Sequence, residues 1–321
     1  MALQRRYGRL ELQENHLASL KVKLLKYEST AGKLRSRGLC LRQPFVCLPE
    51  PVLGENADDR AAPPRHQRPS ATRIISPSGS ALRLELTILA LLQLHRRPGA
   101  LAHLSELGIP IAGSSSETGW ADLVNSHATS SNTGNTFYTA RTKRAGVVES
   151  ALKALEQAGL VDVPAARGRR GRYQGFVPLE EGGAQLDEAD EYRVPQRDEK
   201  GLFTMPPGFI LNNWVHVLED TEIAVLLLAA SHFGAWPVGD LWAIPAEIRL
   251  RQYGIHRDAF SKARKTLEWF GLLDVEEVGR HGDGRAQDDE RNLHRIGIRR
   301  EGFEVDAWPA IREAVQRQLS R

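Results

Sequence analysis

The sequence predicts a mainly α-helical fold with short β-hairpins, an α+β class, arranged as two bodies joined by linkers. Three observations carry this. Two strongly apolar helical runs, Leu82 to His95 and Thr221 to Phe233, each open a stretch of near 100 residues, which is the size of a single domain. Each stretch closes on a helix ending in Gly-Leu, followed by a strand, a basic glycine-bearing segment and a second strand. Pro, Gly and small polar residues dominate 49–80, and 180–201 is acidic and glycine-bearing, so both read as linkers.

Composition limits the function classes. The chain has 321 residues, 43 Lys and Arg against 40 Asp and Glu, and a formal charge of +3. Apolar residues make up 41%, enough for modest cores. The longest apolar run, Ile223 to Ala230, is eight residues, against the ~18–20 a membrane span needs. No apolar stretch follows the first positive charges, so no secretory signal is expected. The only two cysteines, Cys40 and Cys47, argue for a reducing compartment. A cytoplasmic protein without membrane contact is expected.

Six segments follow: 1–48, a basic helical segment; 49–80, a linker; 81–180, the first body; 181–201, a second linker; 202–302, the second body; and 303–321, an amphipathic helix. Within residues 1–40, nine Lys and Arg outweigh three acids. Leu3, Leu10, Leu17 and Leu24 repeat every seven residues, with Leu20, Tyr27 and Leu34 at a second register. Arg6 and Gln13 interrupt that register. The segment therefore reads as a helix packed on its own chain, as a coil joining a homodimer, or as a basic arm.

In the first body, Trp120 to Asn125 reads as a short second helix and RTKRAGVVESALKALEQAG as a third. Long Ser-, Gly- and Asn-rich insertions surround the second helix. In the second body, Asp220 or Thr221 is placed to cap the first helix. Pro245 suits the start of the next helix, and Gly254 its end. GIHRDAFSKARKTLEWFG forms the third. At 100° per residue, Val148, Ala151, Leu152 and Leu155 share one face of the first body's long helix. Phe260, Ala263, Leu267 and Phe270 do the same in the second. Trp214, Trp236, Trp242 and Trp269 are expected to pack in cores or hinges.

The stretch LEWFGLLDVEEVGR (267–280) resembles the end of a winged-helix recognition helix entering its wing. LEQAGLVDVPAARGRRGR (155–172) is similar to it. The resemblance covers roughly 200 of the 321 residues and is to a superfamily. Tandem winged helices of this kind recur in bacterial transcription regulators and plasmid replication initiators. The chain also resembles actinobacterial proteins of the same two-body layout, which bring no established activity. The resemblance implies double-stranded DNA as partner, with the third helix in the major groove and the wing against the backbone.

Charge distribution agrees with that implication. Between Arg141 and Arg172, eight Lys and Arg face three acids, a balance of +5. Such local concentration is the footprint of a polyanion partner. The candidate contacts here are Arg141, Lys143, Arg144 and Lys153 on the helix, and Arg167, Arg169, Arg170 and Arg172 in the wing. Arg141 and Arg144 point outward if the helix starts late. Arginines at a hairpin tip reach phosphates or a minor groove. Gly146 allows close approach of a backbone. In the second body Arg257, Ser261, Lys262 and Lys265 occupy the face opposite the core, where side chains reach base edges or phosphates. The second wing mixes Arg280, His281 and Arg285 with Asp288, Asp289 and Glu290 and contributes less.

No catalytic residue, cofactor or metal is expected. The sequence lacks a phosphate-binding Gly-x-x-x-x-Gly-Lys-Ser/Thr loop, a His-Glu-x-x-His pair, a Gly-x-Ser-x-Gly frame and zinc-ligand spacing. The expected function is DNA binding in transcription regulation or replication initiation. The alternative is a scaffold whose winged helices bind protein.

Overall fold

The computed structural model describes all residues except 1, 32–33, 53–60, 77–79, 103, 105–106, 127, 134–135, 167, 170, 184–188, 239, 277–294 and 321. In chain order the N-terminal third holds α1 (Ala2–Glu11), α2 (Glu14–Ala31), α3 (Leu34–Arg37), β1 (Leu39–Arg42), α4 (Gln43–Val46), α5 (Ser70–Arg73) and α6 (Ala81–His95). Next come α7 (Trp120–Leu123), β2 (Ser131–Thr133), β3 (Thr136–Tyr138), α8 (Ala140–Gln157), β4 (Val161–Asp162), β5 (Val177–Pro178) and β6 (Leu202–Met205). The remainder is α9 (Gly208–Leu211), α10 (Trp214–Val217), α11 (Asp220–Ser231), β7 (Trp236–Val238), β8 (Leu241–Ala243), α12 (Ala246–Arg251), α13 (Arg257–Trp269), β9 (Leu273–Glu276), β10 (Arg295–Ile298) and α14 (Ala307–Leu319). The class is mixed α+β, about 50% helical with small antiparallel sheets. No helix among the described residues is long and apolar enough to cross a membrane.

The leucine repeat of the N-terminal segment is spent on the chain's own core. Leu10, Leu17, Leu20 and Leu24 are buried, with α2 against α6 and α7 and α1 against α14. Arg6, one of the two residues interrupting the register, is also buried, where it meets Glu222 of α11. The chain turns at Leu12 and Gln13, which divides the heptad register between two helices.

Buried apolar side chains form a continuous cluster running through both halves of the chain. It includes Ile74, Tyr192 and Val194, which lie in the stretches read as linkers. Arg42 of β1 holds Glu181 at 2.5 Å and also pairs with Glu199, joining the 181–201 stretch to the N-terminal part. β1 pairs antiparallel with β6, Leu39 opposite Met205. That pairing requires glycine at position 38. Its φ is +70°, and a Cβ there would meet the Met205 carbonyl oxygen at 2.3 Å.

Around α8 the order is α6, α7, the β2–β3 hairpin, α8, then the β4–β5 pair, with α6 and α7 both packed on α8. The β2–β3 hairpin falls within the Ser- and Asn-rich insertion. Thr139 starts α8 by accepting from the Thr142 N–H at 3.1 Å. Around α13 the order is α11, the β7–β8 hairpin, α12, α13, then β9 and β10. Those strands form one sheet in the order β7-β8-β10-β9, and α11 packs on α13.

Local details differ from expectation. Glu219, not Asp220 or Thr221, precedes the first turn of α11, and its N–H donates to the Glu222 carboxylate at 2.8 Å. Helix α12 stops at Arg251, with Gln252 at its end, three residues before Gly254. Trp214 is fully buried as expected, whereas Trp236 and Trp269 are exposed. Trp242 stacks on His232 with ring centroids 4.0 Å apart. The tail helix α14 buries Trp308, Ile311 and Val315, matching its amphipathic pattern.

Candidate nucleic-acid interface

Helix α8 buries Val148, Ala151, Leu152 and Leu155, the face its period selects. Its start at Ala140 decides where the two arginines before that face point. Arg144 lies four residues ahead of Val148 and Arg141 seven, so both fall on the inward stripe. Arg141 donates from Nε to the buried Asp122 carboxylate at 3.4 Å. Lys23 of α2 approaches the same carboxylate at 3.5 Å. Arg144 is half-buried, and burial holds its guanidinium below its ordinary pKa. It also helps keep His16 neutral, because burial and then the Arg144 charge push that imidazole down to about 4. The outward orientation considered for Arg141 and Arg144 requires a later helix start than the one observed.

The wing divides in the same way. Arg172 places both Nη atoms on Glu156 at the end of α8, with Nη1 at 3.0 Å, and donates from Nε to the Ala165 carbonyl at 3.2 Å. It also lies 5.2 Å from the Tyr173 ring. This arginine is committed to its own chain. Arg169 is exposed in the turn. Arg167 and Arg170 lie outside the described residues.

The remaining outward side of α8 carries Lys143, Gly146, Ser150 and Lys153. Lys143 donates to the Ser131 hydroxyl of the β2–β3 hairpin at 2.5 Å, a neutral partner that leaves its charge uncompensated. Lys153 is exposed and Lys143 half-buried, and neither lysine nor Arg169 pairs with a carboxylate among the described residues. A Cβ at Gly146 would meet nothing within 4 Å, so the helix surface is open there.

On α13, Phe260, Ala263 and Leu267 are buried, and Arg264, which stands at the border of that face, is buried with them. Arg257, Lys262 and Lys265 are exposed and Ser261 is half-buried. Lys262 reaches Glu219 at 3.9 Å, an exposed pair worth little. The second wing, with Arg280, His281 and Arg285, lies outside the described residues.

The structure also brings to α8 residues that reasoning from sequence placed in a linker. Residues of 65–76 and Ser80 from that stretch, with Ala81 at the start of α6, line a groove of about 920 Å3 together with one flank of α8. Arg65, His66 and Arg73 contribute from the segment, and Lys143 from the helix. Val147 and Ala154 add half-buried apolar surface, and the buried Ile74, Ala81 and Ala151 also line it. Among the described residues, no Asp or Glu lines it. Arg65 donates from Nε to the Arg73 carbonyl at 2.5 Å, and Arg73 to the Arg68 carbonyl at 3.1 Å. These backbone bonds fix both guanidinium groups without neutralising them. The local sequence signal was Pro69 before SATRII, a proline-started turn with two isoleucines inside an otherwise polar stretch.

Among the described residues, no cluster of His, Cys, Asp or Glu is placed to hold a metal ion. Comparison of the chain with protein-family models, with curated proteins and with solved structures finds no match.

Proposed function

We propose that the protein binds duplex DNA through two winged-helix units, with α8 and α13 as the helices that enter the major groove, and that it acts in transcription regulation or replication initiation. The observation that carries this reading is the cation set of α8 and its wing that pairs with no carboxylate among the described residues: the exposed Lys153 and Arg169 and the half-buried Lys143, around the open backbone at Gly146. A polyanion gains most where cations are displayed without internal acids. The element order supports the fold side of the reading. Helix, hairpin, helix, helix and hairpin follow one another from α11 to β10, and the sheet closes β8 on β10 beside β9. This is the connectivity a winged helix uses to hold its third helix outward.

Arg257 and Lys265 give α13 a smaller set of the same kind. Lys143 stands nearest the start of α8 and is suited to base edges or phosphate; Lys153 and Arg169 are suited to phosphates. Arg141 and Arg172 act instead as internal struts that hold α7 and the wing against α8.

A gel-shift panel on DNA flanking the protein's own gene, at low salt, tests the reading. Retarded bands that persist against competitor DNA support it, and a panel without a retarded band contradicts it. Protection of promoter sequence or of repeated elements then separates regulation from initiation.

A further inference from the structure

The groove between residues 65–76 and α8 has a composition that the DNA reading does not use. Its lining joins the cations of Arg65, Arg73 and Lys143 to partly exposed apolar side chains of α8, Val147 and Ala154. A phosphate backbone gains nothing from the half-buried Val147 and Ala154, whereas an organic body does. A neutral organic molecule would leave the charges of Arg65, Arg73 and Lys143 in the lining without a counter-charge. Only a ligand joining both properties satisfies the two surfaces together.

We infer that this groove is a binding site for an amphipathic organic anion, an aromatic or acyl body bearing a carboxylate, sulfonate or phosphate. The body lies along the Val147–Ala154 side of α8. The anionic group sits between Arg73 and Lys143, with Arg65 at its flank. Guanidinium and ammonium donors form their strongest hydrogen bonds with such oxyanions. Ser76, Ser80 and Ser150 line the same groove, where the Ser150 hydroxyl donates to the Gly146 carbonyl at 2.9 Å and leaves its oxygen as an acceptor. The site stands independently of DNA binding. Its consequence under that reading is direct, since the ligand covers Lys143, Gly146 and Ser150, the surface offered to a duplex.

The test uses the full chain without DNA and two fluorescent probes, anilinonaphthalene sulfonate and its uncharged parent anilinonaphthalene. The sulfonate is expected to bind saturably at one site per chain. The Gly146→Phe variant places a ring in open space above the floor and should abolish that site. The Gly146→Ala variant adds only a methyl group and should retain it, which controls for the change of backbone at this position. The paired substitution Arg73→Ala with Lys143→Ala should weaken the sulfonate by about tenfold or more, and leave the uncharged parent unaffected. Circular dichroism and thermal melting of each variant verify folding. Absence of a saturable site, equal binding of both probes, or sulfonate binding unchanged in Gly146→Phe and in the paired variant would each overturn the proposal.

Discussion

Arg6 of α1 and Glu222 of α11 meet in the interior, 216 residues apart in sequence, with Nη1 to Oε1 at 2.6 Å and Nη2 to Oε2 at 2.8 Å. The same guanidinium donates to the Val217 carbonyl at 3.0 Å and lies 5.0 Å from the Phe270 ring. Through it the N-terminal helix becomes part of the α11–α13 packing. Arg6→Met leaves the Glu222 carboxylate buried without its cation, a change that costs about 3–5 kcal/mol. Urea unfolding should show this loss. The double variant Arg6→Met with Glu222→Gln should recover part of it. A single variant as stable as the parent protein would show that the pair does not tie the two elements.

Glu85 of α6 is fully buried, with neither carboxylate oxygen hydrogen-bonded. Burial, and then the nearby Glu181 charge, push its pKa well above the ordinary value. The folded protein therefore holds this proton more tightly than the unfolded chain does. Its stabilising contribution is complete below the unfolded glutamate pKa of roughly 4.3 and is lost as pH rises toward the folded value. Glu85→Gln keeps the shape and removes the titration. The variant should be more stable than the parent at pH 8, with the gap closing toward pH 4. Denaturant midpoints across that range check the sign, and a gap that widens on acidification would contradict it.

Gly146 sits within α8 facing open space. Alanine is favoured over glycine inside a helix by about 0.8–1.0 kcal/mol, and nothing here obstructs the methyl group. Gly146→Ala should raise stability by about that amount in equilibrium unfolding. No gain would mean that the helix is not formed as described around this residue.

The two kinds of arginine in the first wing should separate in DNA binding. Arg169→Ala removes a free cation and should flatten the dependence of affinity on salt by roughly 0.9 in slope. The neutral exchange Arg172→Gln with Glu156→Gln removes an internal pair and should leave the slope unchanged while loosening the wing. Anisotropy titrations across salt concentrations distinguish these outcomes; equal effects would place both arginines in one role.

Periodic, local features were legible in the sequence. The inward faces of α8 and α13 follow from helix geometry alone, and Val148, Leu152, Phe260 and Leu267 occupy them. The helix start was not legible to the residue, and a shift of a few positions is what turns Arg141 and Arg144 inward. Long-range pairings left weaker traces. Asp122 looks like any acid at the start of a short helix until Lys23 and Arg141 converge on it. Arg172 looks like its basic neighbours until the hairpin folds it back onto Glu156. Composition outweighed the one local signal for the groove, Pro69 before SATRII: a proline-rich polar stretch reads as linker, although Ser70, Ala71 and Ile74 are buried.

The most direct measurement of the central claim is a salt titration of duplex binding by the parent protein and by a variant with Lys143, Lys153 and Arg169 all changed to Ala. Three phosphate contacts predict that these residues account for a slope of about −2.7, or about fortyfold in affinity between 50 and 200 mM salt. The variant should lose that component of the slope and bind weakly at every concentration. Binding that ignores salt, or a variant that binds as the parent protein does, would contradict the account.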